Sequence, residues 1–113
     1  MRVLSILVLF TTNLMAASHH PQTFLASIAG TPQEGQQIVQ HFCASCHAPH
    51  PLIPLGAPRM GVIKDWDARL KQGTTTFMQH TDEGIGLMPP RGGCFECTDH
   101  QLLLAIQHML SAN

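Results

Sequence analysis

Cys43-Ala44-Ser45-Cys46-His47 is the stretch on which the reading of this chain turns. C-x-x-C-H is the attachment signature of c-type haem. Each cysteine can add across one haem vinyl group as a thioether. The adjacent His47 is then held under the iron as the proximal axial ligand. Two tethers and one ligand so close together leave the group little freedom, and few other chemistries need that spacing. The competing reading is a zinc-binding or redox C-x-x-C that happens to precede a histidine, and it accounts for less of the pattern.

Iron held by one histidine needs a second axial ligand, or it stays open for small-molecule chemistry. Met60, Met78 and Met109 fall in or near helical patterns, where a core role is the better expectation. Met88 differs, because it lies in the loop Gly86-Leu87-Met88-Pro89-Pro90. The prolines after it restrict the backbone and can hold the thioether sulfur inward. Met88 is the expected sixth ligand, and His80 is the alternative. A histidine–methionine pair raises the potential and closes the iron, which suits a carrier rather than a catalyst.

The second cysteine pair is Cys94-Phe95-Glu96-Cys97, followed by Thr98 where a second haem would need histidine. Zinc would require two further ligands, with His100 and Glu96 nearby. A catalytic dithiol would lack a thioredoxin-like βαβ context. A disulfide is the simplest reading, provided the compartment is oxidising.

The N-terminus supports such a compartment. Arg2 precedes an apolar run from Val3 to Phe10, then small residues at Ala16, Ala17 and Ser18. This reads as a secretory signal over residues 1–18, cut near 16–18. The run is shorter than the roughly 20 residues of a membrane span. Removing about 18 residues from 113 leaves enough for one small domain and not two. Five Phe, one Trp and no Tyr are few aromatics for a core, and a buried haem would supply the missing apolar body. No basic run suggests nucleic acid.

Along the chain, residues 19–30 show no clear periodicity and read as a leader, with the domain over 31–113. Thr31-Pro32-Gln33-Glu34 has the form of a capping box, opening a helix expected to run to about Phe42. Pro49, Pro51, Pro54 and Pro58 exclude regular structure, so an irregular loop is expected to cover the proximal side of the haem. Further helices are expected over Ile63 to Gln72 and from Thr75 or Thr76 to Glu83. Thr98-Asp99-His100-Gln101 then opens the last helix, with an apolar stripe of Leu102, Leu103, Ile106, Met109 and Leu110. No strand-like alternation occurs, so the chain reads as all-α with long loops.

Taken together these residues resemble class I cytochrome c, and within it the cytochrome c5 group, from about Gly35 to Met109. The carrying segments are Cys43-Ala44-Ser45-Cys46-His47, Gly56-Ala57-Pro58, Trp66-Asp67-Ala68-Arg69-Leu70 with Gln72-Gly73, and above all the run Met88-Pro89-Pro90-Arg91-Gly92-Gly93-Cys94-Phe95-Glu96-Cys97-Thr98-Asp99. The resemblance implies a small class I cytochrome c fold wrapped around one covalent haem C. It implies His47 and Met88 as axial ligands, Cys43 and Cys46 as thioether anchors and a Cys94–Cys97 disulfide. Pro58 would pack on the proximal side with loop carbonyls near the His47 ring, and Gly35 would sit where the first and last helices cross.

By the same resemblance the function is one-electron transfer in a bacterial respiratory chain, in the periplasm. Docking would be transient, with redox proteins or membrane respiratory complexes and without catalysis. Lys64, Arg91 and Asp82-Glu83 are candidates for the docking rim. The rival functions are an open-site haem enzyme, an electron-accepting subunit and a non-haem metal protein. The chain departs from the group at Val39 and His108, where aromatics are usual, at Val62, which replaces a capping aspartate, and in a longer Ala48–Leu55 loop.

Overall fold

The computed structural model describes residues 20–112; the signal expected over residues 1–18 lies outside them. The elements are α1 (Pro21–Ile28), α2 (Glu34–Ile38), a π-helical turn (Val39–Cys43), α3 (Ala44–His47), α4 (Ile63–Leu70), α5 (Thr74–Glu83), a tight turn (Pro90–Gly93) and α6 (Asp99–Ser111). No strand occurs among the described residues; an isolated bridge joins Ile85 and Met88.

Helix α1 was not expected from the sequence. Its short length hides the period, yet Leu25 and Ile28 are buried in the core. Part of the expected leader is therefore packed structure. This also changes the start of α2. The Thr31 hydroxyl donates to the Ile28 carbonyl at 2.8 Å and so closes α1 instead of capping α2. The Glu34 carboxylate accepts from the Gly30 N–H at 2.8 Å and from Gln101 Nε2 at 2.9 Å. The expected capping box thus becomes a buried link between the α1–α2 turn and α6.

The first long helix also continues past Phe42. It bulges over Val39–Cys43 and resumes as α3, so C-x-x-C-H is itself helical. A π turn inserts an extra residue and shifts the side-chain register, a feature common at functional sites. Val39 is almost fully buried within it.

The crossing of α2 and α6 is set by Gly35. A Cβ built there would lie 2.5 Å from the Leu104 carbonyl oxygen, a backbone atom. Helix α6 starts as expected: Gln101 N–H donates to Thr98 Oγ1, and Thr98 N–H donates to Gln101 Oε1, a complete capping box. Its inward face is Leu102, Ala105, Ile106 and Met109, whereas Leu103 turns outward. Helical geometry prefers i, i+3, i+4, i+7 over the doublet assumed in the expected stripe.

Between α3 and α4 the proline-rich chain forms no helix or strand, yet its backbone groups find partners. Ile53 N–H donates to the Ser45 carbonyl at 2.8 Å, Met60 N–H to His47 at 2.7 Å and Gly61 N–H to Met109 at 3.1 Å. The loop is thereby fastened to α3 at one end and to α6 at the other. Val62 supplies no side-chain cap for α4. Asp65 in its first turn takes the Arg59 N–H and pairs with the guanidinium at 2.7 Å, so the Asp65 carboxyl is held below the ordinary carboxylate range by that hydrogen bond. Its small contribution to stability is complete above the ordinary range and lost as pH falls through the folded-state value.

A haem-sized cavity between helices and loops

The elements enclose a mostly apolar cavity of about 540 Å³, within the roughly 300–1,000 Å³ range of cofactor sites. Cys43, Cys46 and His47 line it from the helix that carries the motif, Pro58 from the proline-rich loop, and Met88 from the loop after α5. Residues separated by more than forty positions in the sequence thus line one cavity. His80, the alternative ligand, lines the same cavity.

The histidine is held rigidly. His47 is 8% exposed, and its Nδ1 lies 2.7 Å from the Pro58 carbonyl oxygen. A carbonyl only accepts, so Nδ1 carries the proton and donates, which leaves the lone pair on Nε2. That tautomer is the one an Nε2 metal ligand requires, and the Nδ1 hydrogen bond fixes the ring and raises its basicity. Trp66 stacks on the ring with centroids 5.7 Å apart and planes 18° apart. Its indole N–H donates to the Arg59 carbonyl at 2.8 Å, in the residue next to Pro58. The loop carbonyls and Trp66 therefore restrain His47 together. Trp66→Phe keeps an aromatic ring but removes the indole donor, leaving the Arg59 carbonyl with the Val62 N–H at 3.1 Å. A loss of about 1 kcal/mol is expected, measured by chemical denaturation of the holoprotein.

The cysteines of the motif are unbridged. Burial pushes the Cys43 thiol up to about 11, with the charge of Cys46 adding to the effect. Cys94 and Cys97 are joined in the structure, with Cα atoms 5.4 Å apart, and both are buried. They lie between the Met88 loop and the start of α6.

The Met88 loop has its own supports. Met88 and Ile85 exchange backbone hydrogen bonds of 2.9 and 3.2 Å. Gly84 backs this turn: a Cβ there would meet Met88 O at 2.6 Å and Pro90 N at 2.9 Å. In the sequence Gly84 carries only the local mark of a helix stop, because close backbone approach leaves no local signal. One cysteine pair, a lone pair on a fixed imidazole and a thioether around an apolar cavity are the donor set that a covalent haem fits.

This fold and donor set define a class I cytochrome c. Over residues 30–109 the chain matches the family described as cytochrome c oxidase, cbb3-type, subunit III. It is 34% identical over 86 residues to cytochrome c5 of Ectopseudomonas mendocina, covering 74% of this chain and 95% of that protein. Cytochrome c5 of Azotobacter vinelandii is 32% identical over 82 residues, with 71% and 95% covered. Cytochrome c-555 of Prosthecochloris aestuarii is 32% identical over 85 residues, with 68% and 83% covered. No solved structure matches the chain. The chain belongs to the cytochrome c5 group of class I cytochromes c. It is a monohaem c-type electron carrier with covalently attached haem c.

Proposed function

We propose that this chain is an exported, periplasmic one-electron carrier whose iron is closed by His47 and Met88, and that it is not an enzyme. Residues 1–18 serve as the export signal, and Cys43 and Cys46 form the thioethers. The observation that carries the ligand assignment is the shared cavity, with His47 fixed by the Pro58 carbonyl and Met88 presented from a turn backed by Gly84. When bound, the haem supplies a metal centre that gains and loses one electron.

The chain's residues decide how that centre behaves. His47 is held in one tautomer, so its bond need not reorganise. Apolar lining from Phe42, Leu102 and Ile106 excludes water, which favours the less charged state of the site. Methionine ligation favours ferrous iron and a raised potential. Docking with redox proteins, free or in membrane respiratory complexes, is small and transient, as such interfaces usually are. Of the described residues no helix is long and apolar enough to cross a membrane. In an oxidising compartment Cys94 and Cys97 persist as a disulfide. Its short loop adds little chain entropy, so its contribution is local rigidity beside the Met88 loop.

The test is an optical spectrum of the purified protein, oxidised and reduced, with a thiol titration of the denatured protein without reductant. The expected result is a c-type spectrum, the weak far-red band of methionine-ligated ferric haem, and no free thiols. Haem without the far-red band overturns the His47–Met88 assignment and moves an open-site enzyme forward. Two free thiols overturn the disulfide.

A further inference from the structure

Arg91 is the one non-glycine among the described residues with positive φ, at φ 57° and ψ 20°. Left-handed backbone is disfavoured for residues with a Cβ and persists where the surroundings hold it. Here the side chain is what is held. The Arg91 guanidinium pairs with the Asp82 carboxylate at the end of α5, donates to the Cys97 carbonyl at 2.6 Å, and pairs with Asp99 Oδ1 at the start of α6 at 3.0 Å. Its side chain is only 19% exposed, whereas those of Asp82 and Asp99 are 60% and 89% exposed. Two of the residues expected at a docking rim are therefore paired with each other.

We infer that Arg91 is a positioning residue for Met88: its guanidinium clamps α5, the Cys94–Cys97 loop and α6 around the loop that carries the axial thioether. The inference rests on the reading of Met88 as ligand. The physical case is topological. Met88 lies between α5 and the Pro90–Gly93 turn, so its loop swings out only if the turn moves relative to its flanking elements. Arg91 lies within that turn and bonds to the elements on both sides. Gly92 and Gly93 carry no side chains, so beyond the backbone bonds from Gly92 N–H to Pro89 O and from Cys94 N–H to Arg91 O, 3.1 Å each, the guanidinium is what ties the turn to α5 and α6. A planar guanidinium is suited to this, because its fixed fork reaches several acceptors at once, which an ammonium cannot do. The exposed ion pairs contribute little alone. The sheltered bond to the Cys97 carbonyl is charge-assisted and stronger.

Imidazole titration of the ferric holoprotein tests this, since imidazole binds only the minor conformer in which Met88 has left the iron. Apparent affinity scales with the population of that conformer. Arg91→Gly removes the clamp and keeps a residue at ease with positive φ, so backbone strain does not confuse the outcome. Imidazole should bind about tenfold more tightly. The far-red band should also be lost on heating well before far-ultraviolet circular dichroism reports helix loss. Arg91→Lys should recover only part of the wild-type behaviour. Affinity within about twofold of wild type in Arg91→Gly, even with a lowered unfolding midpoint, means a merely structural role and overturns the proposal. Should Arg91→Gly give no holoprotein, Arg91→Gln decides, since it removes the guanidinium fork: roughly fivefold tighter binding supports the clamp, and wild-type affinity overturns it. A wild-type protein without the far-red band overturns the ligand assignment itself, and this proposal with it.

Discussion

Met88→Ala leaves the haem covalently attached, abolishes the far-red band and lowers the reduction potential by on the order of a few hundred millivolts. The direction follows from ligand chemistry. A thioether stabilises ferrous iron, and removing it leaves the site to water or to a nitrogen donor, both of which favour ferric iron. The magnitude is a fraction of the ~0.8 V span that axial ligands set. Haem retention is expected because the thioethers at Cys43 and Cys46 and the hydrogen bond from His47 to Pro58 do not involve the Met88 loop. The decisive measurement is spectroelectrochemical titration of wild type, Met88→Ala and His80→Ala. His80 lines the same cavity, so it is the informative control. A potential unchanged in Met88→Ala but shifted in His80→Ala would falsify the methionine assignment and transfer the sixth position to the histidine.

The legible part of this protein is the part written in local or motif chemistry. C-x-x-C-H names its cofactor because the attachment reaction constrains the spacing. The Thr98–Gln101 box fixes the start of α6 because both partners lie in one turn. The proline density around Pro49 to Pro58 excludes regular structure without saying where the loop goes, and the use of the Pro58 carbonyl came through family resemblance. The illegible part consists of side chains whose partner is distant in sequence. Glu34 has the local signature of a capping-box glutamate, but its carboxylate bonds to Gln101, 67 residues away. Arg91 looks like a surface cation, but its left-handed backbone turns it toward Asp82, Asp99 and the Cys97 carbonyl. Helix α1 is too short for its two buried residues, Leu25 and Ile28, to establish a period. In each case tertiary context decided what local pattern could not.

Gly35→Ala lowers stability by about 2 kcal/mol net, a fall in Tm of roughly 10 °C for a domain of this size. Gly35 is the one described glycine without positive φ. The backbone there accepts any residue, so only space forbids a side chain. The added Cβ would meet Leu104 O at 2.5 Å, Leu104 C at 2.9 Å and Leu104 Cβ at 3.3 Å. The first two are backbone atoms of a helix and cannot rotate aside, so α2 and α6 must separate. Separation also stretches the adjacent bond between Glu34 and Gln101, 2.9 Å long, and a buried carboxylate deprived of a donor costs about 1–3 kcal/mol. Against this, alanine is the better helix former by about 1 kcal/mol, which offsets part of the loss without reversing it. Gly35→Val lacks that compensation and should be worse. Thermal unfolding of the holoprotein, followed by circular dichroism with the haem band as a second probe, measures both variants. A Tm unchanged or raised in Gly35→Ala would show that the helices open without cost, and that their close crossing does not hold the fold around the haem.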